Sequence, residues 1–381
     1  MRPLLRARFP PPAILVFLYG TMVVLGTLLL KLPFATVAPI TWLDAAFTAT
    51  SAVTITGLSV LGMTFAIRVL TMFGMPIGLQ QRATLSEDLN QSEFGGLLDL
   101  VKLIIRFVLV AEAIGALLLA WRFVPQFGWE QGLWAAIFHS VSAFNNAGFS
   151  LFPDSLVAFA GDPVINLVVP ALFILGGLGF TVVFDLARTR RWRGLSLHSK
   201  LMLAGWFQAL TTRTAGFNSV PIEDLRDSTS MLFIVLMLIG GGSTSTAGGI
   251  KVTTFVVLMI ATFAFATGRR HIHAFGRHLG EAELMKVLAL AVASVTVVSV
   301  SMFLLVLTQE GHILDLGFEA ASALGTVGLS RDTTMDLDWI GRLLIMFLMF
   351  TGRVGPLAFG FVLARRAAPL LRYPPGKVYL G

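Results

Sequence analysis

Asp44-AAFTATSAVTIT-Gly57-LS, Ala135-AIFHSVSAFNNA-Gly148-FS, Gly205-WFQALTTRTA-Gly216-FN and Gly317-FEAASALGTV-Gly328-LS align without gaps around one glycine. Each segment begins as a short amphipathic run of small and aromatic residues, too short to cross a bilayer. Each then turns polar and ends in Gly followed by Leu or Phe. The pattern predicts a short helix that enters from one side and returns as extended backbone. Such backbone is tolerated at membrane depth only where protein buries it or where it lines water. Glycine is required where carbonyls must turn toward an axis through dihedrals that a Cβ disfavours, and where four strands of backbone approach closely.

The surrounding chain is built for lipid. Of 381 residues 56% are hydrophobic and 13% charged, with mean hydropathy +0.82, against roughly 25% charged in a soluble domain. Ile14–Leu32, Leu100–Trp121, Val164–Leu186, Ser230–Phe265, Val287–Leu307 and Trp339–Ala364 each approach or exceed the roughly 20 residues of a spanning helix. Arg2, Arg6 and Arg8 precede the first stretch, but no small-residue cleavage site follows Leu32, so it reads as a retained anchor. With no cysteine, disulfides, thiolate metal sites and cysteine nucleophiles are excluded. The net charge of +7 is distributed as an orientation signal, not as a nucleic-acid patch. Arg188, Arg190, Arg191, Arg193 and Lys200 form one basic loop, Arg269, Arg270 and Arg277 a second, and Arg365, Arg366, Arg372 and Lys377 a basic tail. Asp154 and Asp162, then Glu223, Asp224 and Asp227, then Asp332, Asp336 and Asp338 make the connections between them acidic. The positive-inside rule places the basic set and both termini in the cytoplasm. The acidic loops then face outward, where they concentrate cations.

Rings of backbone carbonyls can replace the hydration shell of a cation, and Thr326-Val327-Gly328-Leu329 reads like the opening of a potassium-channel filter. The candidate filter is Thr56, Gly57, Ala147, Gly148, Ala215, Gly216, Val327 and Gly328, flanked by Asn145, Asn146, Thr214 and Thr326, with K+ at the filter carbonyls. Phe144-NNAGFS, Thr211-TRTAGFN, Gly240-GGSTSTAGGIK and Gly352-RVGPL resemble the motifs of the TrkH/KtrB/HKT superfamily of potassium transporters, most closely its KtrB branch. The resemblance covers nearly the whole chain. It implies an all-α polytopic membrane protein with four helix–pore loop–helix repeats around a central pore. It also implies potassium preference, because glycine stands at all four filter positions. The partners implied are a second copy in a homodimer and a cytoplasmic nucleotide-binding regulatory subunit of the KtrA type, which would carry the nucleotide itself. The location implied is the bacterial plasma membrane, in contact with lipid.

Ser230–Phe265 is interrupted by Gly240, Gly241, Gly242, Ser243, Thr244, Ser245, Thr246, Ala247, Gly248 and Gly249, and Lys251 follows. Five glycines and four hydroxyls do not sustain a helix in mid-span. An unwound loop under the filter is expected, resembling the family's intramembrane gate. Arg353 lies near the middle of Trp339–Ala364, where a fixed charge is a functional candidate by default. The resemblance places it near the pore below the filter. Arg213 is expected to bridge the filter's scaffold. No catalytic constellation emerges: His271, His273 and His278 are loosely spaced in a basic loop, and no GxxxxGK phosphate loop is present. His139 is expected to pack or hydrogen-bond inside the second pore helix. Glu112 faces either a cavity or a partner copy.

The same repeats expose two shortenings. Leu178-Gly179 lies 31 residues beyond Gly148, but the similar Leu61-Gly62 lies only 5 beyond Gly57; Lys286 precedes Gly328 by 42, but Lys200 precedes Gly216 by only 16. About 26 residues are short in each case, the second deficit matching a whole spanning helix. Four residues between Lys200 and Gly205 reach about 14 Å even when extended, against a hydrocarbon core of roughly 30 Å. The chain therefore divides into 1–80, a first repeat with a truncated second helix; 81–200, the second repeat with cytoplasmic linkers; 201–278, a third repeat lacking its first helix; and 279–381, the fourth repeat with a cytoplasmic tail. The expected function is channel-like potassium uptake without covalent cofactors. The alternative is a non-conducting membrane scaffold for the regulatory subunit.

Overall fold

The computed structural model describes residues 11–32, 35, 39–58, 97–178, 180–189, 194–197, 199–200, 216–218, 221–242, 248–268, 272–275 and 277–355. Its elements are helices, apart from one two-stranded hairpin. They run α1 Pro11–Leu30, α2 Trp42–Thr54, α3 Leu97–Phe144, α4 Pro163–Leu178, α5 Phe180–Thr189, α6 Asp227–Leu238, α7 Val252–Ala266, β1 His273–Ala274, β2 Arg277–His278, α8 Glu281–Thr308, α9 Ile313–Gly325, α10 Thr333–Asp336 and α11 Trp339–Val354. Both predicted shortenings, Arg213 and His271 lie outside the described residues, as does the basic tail.

Polarity is inverted relative to a soluble protein. The short helices α2 and α9 are buried along almost their whole length, including Thr48, Ser51, Thr54, Glu319 and Ser322. The apolar side chains are outside: Leu117 is 71% exposed, Trp129 79%, Phe265 88% and Leu307 65%. Water would penalise such a surface and lipid would not. The 28-residue α8 is about 42 Å long at 1.5 Å per residue, ample for a hydrocarbon core of roughly 30 Å.

Local chemistry fixes where the short helices begin. Thr41 and Asp44 form a reciprocal capping box on α2, and the His312 side chain accepts the Leu314 amide at the start of α9. Asp162 caps α4 by accepting the amides of Val164 and Ile165, and it pairs with Arg122 of α3 at 2.7 Å. The sequence predicts a span over Leu100–Trp121 followed by a separate pore helix. The two are parted at Gly128: the first limb of α3 runs through Pro125 to that residue, whose φ of 79° and ψ of 172° break the helix, and residues 129–144 form the second pore helix.

The expected interruption of the fourth predicted span is present. Helix α6 ends at Leu238 and α7 starts at Val252. Between them Gly240 N–H donates to the Ile250 carbonyl at 2.7 Å and Val252 N–H to the Gly241 carbonyl at 3.1 Å, so the two limbs clip together.

Candidate functional site

Three pore helices end in the same way. Ile55, Asn146 and Thr326 adopt left-handed backbone with φ of 56°, 56° and 50°. The next amides, of Thr56, Ala147 and Val327, reach back five residues to the carbonyls of Ser51, Ser142 and Ser322 at 2.9, 2.8 and 2.9 Å. This is the Schellman stop, normally built on glycine. Ile55 and Thr326 are β-branched, so their conformation is strained and persists only because the surroundings over-determine it. Each stop delivers the chain directly into the predicted filter pair, Thr56-Gly57, Ala147-Gly148 or Val327-Gly328.

The structure brings all four predicted glycines together. Gly57, Gly148, Gly216 and Gly328 have φ of 95°, 69°, 61° and 88°. A Cβ on Gly57 would stand 2.6 Å from the Ala147 carbonyl oxygen, and one on Gly216 would stand 2.6 Å from that of Val327 and 2.7 Å from Gly148 Cα. A Cβ on Gly328 would collide with the Thr56 carbonyl oxygen. Gly57 therefore sits between Gly148 and Gly328, and Gly216 between Gly148 and Val327. The repeats follow one another around a ring in sequence order. Thr56, Ala147, Val327, Asn145, Asn146 and Thr326 are buried behind it; Ala215 and Thr214 lie outside the described residues.

Side chains behind the ring hold these loops. Asn145 Nδ2 donates to Glu112 Oε1 at 2.8 Å, which answers what Glu112 of α3 faces. Ser322 Oγ accepts the Gly328 amide at 3.1 Å, and Ser142 Oγ donates to the Phe149 carbonyl at 2.8 Å. His139 is fully buried, bonded through Nδ1 to the Ala135 carbonyl at 2.8 Å and through Nε2 to Ser150 Oγ at 3.0 Å, and it stacks on Phe152. Glu319, buried in α9, accepts from the Thr334 hydroxyl. Glu319 was visible in the sequence only as part of the repeat, because its partner reaches it through a chain reversal 15 residues on.

A cavity of about 660 Å³ opens on one side of the ring, lined by all four glycines together with Asp154, Glu223 and Asp332. One carboxylate thus comes from each of the three acidic connections recognised in the sequence, and such walls raise the local cation concentration. Ion pairs that the sequence did not reveal brace this face. Arg331 Nε meets Asp315 at 2.7 Å, and its Nη1 donates to both Ser230 Oγ and the Leu225 carbonyl. Arg342 pairs with Asp44. Each joins groups about 16 to 300 positions apart, beyond the reach of any local pattern.

The glycine-rich segment lies against the end of α9. Gly248 N–H donates to Thr326 Oγ1 at 3.0 Å, Gly249 N–H to the Gly352 carbonyl at 3.4 Å and Gly242 N–H to the Gly177 carbonyl at 3.2 Å. Arg353 is 6% exposed at the end of α11 and lies within electrostatic reach of Lys251. Of the predicted gate residues, Gly248 and Gly249 thus lie against the end of α9, Gly242 against Gly177, and Gly240 and Gly241 against the start of α7, with Lys251 at its N-cap; Ser243, Thr244, Ser245, Thr246 and Ala247 lie outside the described residues. Among the described residues no group of three or more metal-ligating side chains forms.

Known proteins share this architecture. The TrkH family model, described as a cation transport protein, matches residues 63–201 and 195–368. Ktr system potassium uptake protein B of Bacillus subtilis is 40% identical over 433 residues, covering 98% of this chain and 97% of that protein. Its namesake from Vibrio alginolyticus is 37% identical, covering 99% and 96%. The potassium/sodium uptake protein NtpJ of Enterococcus hirae is 34% identical, covering 100% and 99%. The crystal structure of the potassium transporter TrkH from Vibrio parahaemolyticus superposes with a TM-score of 0.73 at 19% identity, over 94% of this chain and 86% of that one; this likeness concerns the fold. The 433-residue alignment exceeds the 381 residues of this chain by 52, so at least 52 aligned positions have no residue here.

Proposed function

The chain belongs to the TrkH family of cation transport proteins, and on that footing we propose that it is the channel-like, pore-forming subunit of a Ktr/Trk-type potassium uptake system. It resides in the membrane. The observation that carries the reading is the ring: four glycines from four repeats, all with positive φ, packed backbone to backbone. In it the carbonyls at Thr56-Gly57, Ala147-Gly148, Ala215-Gly216 and Val327-Gly328 replace the hydration shell of K+. The ion is substrate, and each charge moved is driven by about 2.3 kcal/mol per 100 mV of membrane potential.

The acidic cavity is the outer mouth, and the segment 240–251 is the gate beneath the filter, with Arg353 and Lys251 as the cations beside it. Both termini are cytoplasmic by the positive-inside distribution. The assembly is a homodimer that docks a KtrA-type regulatory subunit, which binds the nucleotide. The four repeats divide at residues 80, 200 and 278.

Expression in a bacterium lacking potassium uptake, grown at micromolar potassium, tests this. Wild type restores growth and Gly216→Arg, which puts a cation in the ring, does not. Equal growth with both overturns the pore assignment. A second reading, a non-conducting scaffold, is favoured by the 52 or more aligned positions that have no residue here. It predicts that wild type reaches the membrane and binds its partner yet never restores growth.

A further inference from the structure

Between α7 and α8 the chain folds back as the β1–β2 hairpin, far in function from the ring. Its two-residue loop is Phe275-Gly276, and Phe275 has φ of 51°, the positive value that a tight hairpin turn requires at its first central position. The register sets His273 opposite His278 and Ala274 opposite Arg277. Leu279 N–H donates to the Ile272 carbonyl at 3.0 Å, so 272 and 279 form a hydrogen-bonded pair. Pair types alternate along an antiparallel ladder, which makes His273 and His278 a non-hydrogen-bonded pair, the kind whose side chains stand closest. Alternation also sorts the faces of the hairpin. Ala274 is buried in an apolar cluster with Val257 of α7, and Leu279, Leu284 and Val287 pack against it. The two histidines belong to the opposite face and are exposed. Their ring centroids lie 5.4 Å apart, with the planes at 56°. A tetrahedral metal bonded to one nitrogen of each ring at about 2.0–2.1 Å would put the centroids about 5.2 Å apart. The hairpin thus holds both imidazoles at chelating distance.

We propose that His273 and His278 form a site for one divalent transition-metal ion, with water completing its coordination. Imidazole nitrogen suits zinc, copper and nickel, whereas the hard cations magnesium and calcium prefer oxygen. Two protein ligands, against the four of a structural zinc site, leave the ion exchangeable. Each ligand stands on a different strand, so the ion cross-links the hairpin that connects α7 to α8. An ion that binds only the paired strands stabilises them by mass action. The site is independent of the pore and stands whether or not the chain conducts.

The full-length protein, purified in detergent without a histidine tag, tests this with Zn2+ and Cu2+ as probes. Calorimetric titration should show one Zn2+ per chain that excess Mg2+ does not displace. His273→Gln and His278→Gln should each weaken zinc binding at least tenfold, since even the groups behind metal ligands are commonly worth about 10–100-fold. His312→Gln, at the start of α9, should bind zinc like wild type. Bound Cu2+ should report two imidazole nitrogens in its electron paramagnetic resonance spectrum, and one in either single variant. Zinc should slow hydrogen exchange of the peptide 272–279 in wild type and leave it unchanged in both variants. Zinc binding that persists undiminished in both variants, a copper spectrum that does not change between them and wild type, or no saturable binding at all overturns the site.

Discussion

Gly57 and Ala147 meet backbone to backbone, so closely that a Cβ on the first would stand 2.6 Å from the carbonyl oxygen of the second. The obstacle is main chain, held by the Schellman bond from Ala147 N to the Ser142 carbonyl, and cannot swing aside as a side chain would. Gly57 also has φ of 95°, which an L side chain rarely adopts. Gly57→Ala should raise the KM for potassium at least about tenfold, from overpacking of about 1–3 kcal/mol, and should weaken its preference over sodium. Gly20→Ala, where nothing lies within 4 Å, should transport like wild type. Rubidium uptake with competing sodium measures both.

Asp44 serves two partners. It closes the capping box of α2 with Thr41 and pairs with Arg342 of α11. Asp44→Ala should lower stability by about 1–3 kcal/mol, from a lost cap and an unpaired, largely buried cation. Arg342→Ala should cost less, because the cap remains. Thermal unfolding in detergent measures the ranking, and equal losses would show that the cap is silent.

Glu112 accepts a hydrogen bond from Asn145, three residues before Gly148 of the ring. Glu112→Ala leaves the Asn145 amide without that acceptor and should raise the KM for potassium several-fold, whereas Glu112→Gln keeps an acceptor oxygen and should stay close to wild type. If both variants behave alike, the carboxylate charge and not the hydrogen bond is what matters.

Asp338 caps α11, and its carboxyl lies below the ordinary aspartate value. The Gly341 amide is the largest cause, followed by the Gln309 side chain, with the Arg342 charge adding to them. A folded-state value below the unfolded one contributes stability that is complete above the unfolded pKa and disappears as pH falls through the folded one. Wild type should therefore exceed Asp338→Asn in melting temperature by a constant margin from neutral pH down to about 4, the unfolded aspartate range. The margin should vanish below that. A margin that shrinks between pH 7 and 5 would assign the effect to another group.

The ring and the broken span were legible because both are written in contiguous backbone requirements. A glycine that must hold positive φ, repeated four times in one context, admits few other meanings, and a run such as Gly240-Gly241-Gly242 cannot continue a helix. What joins the repeats was not legible. Arg331 with Asp315, Arg342 with Asp44, and Glu319 with Thr334 are pairings created by the fold. Their residue types are ordinary for loops and short helices. Ile55 was hidden for the opposite reason: a β-branched residue is among the last expected in a left-handed stop, and only the assembled ring holds it there.

Tandem repeats arranged in a circle leave one joint with no peptide link across it. Consecutive repeats are kept near each other by the chain that connects them, which limits the entropy of bringing them together. The first and fourth are separated by nearly the whole polypeptide, and their closure has no such help. That joint is where Arg342 reaches Asp44 and where Gly328 abuts Thr56. The circle is closed there without a peptide link, by backbone contact, by apolar packing of Phe47 and Leu58 against the fourth repeat, and by an electrostatic clasp.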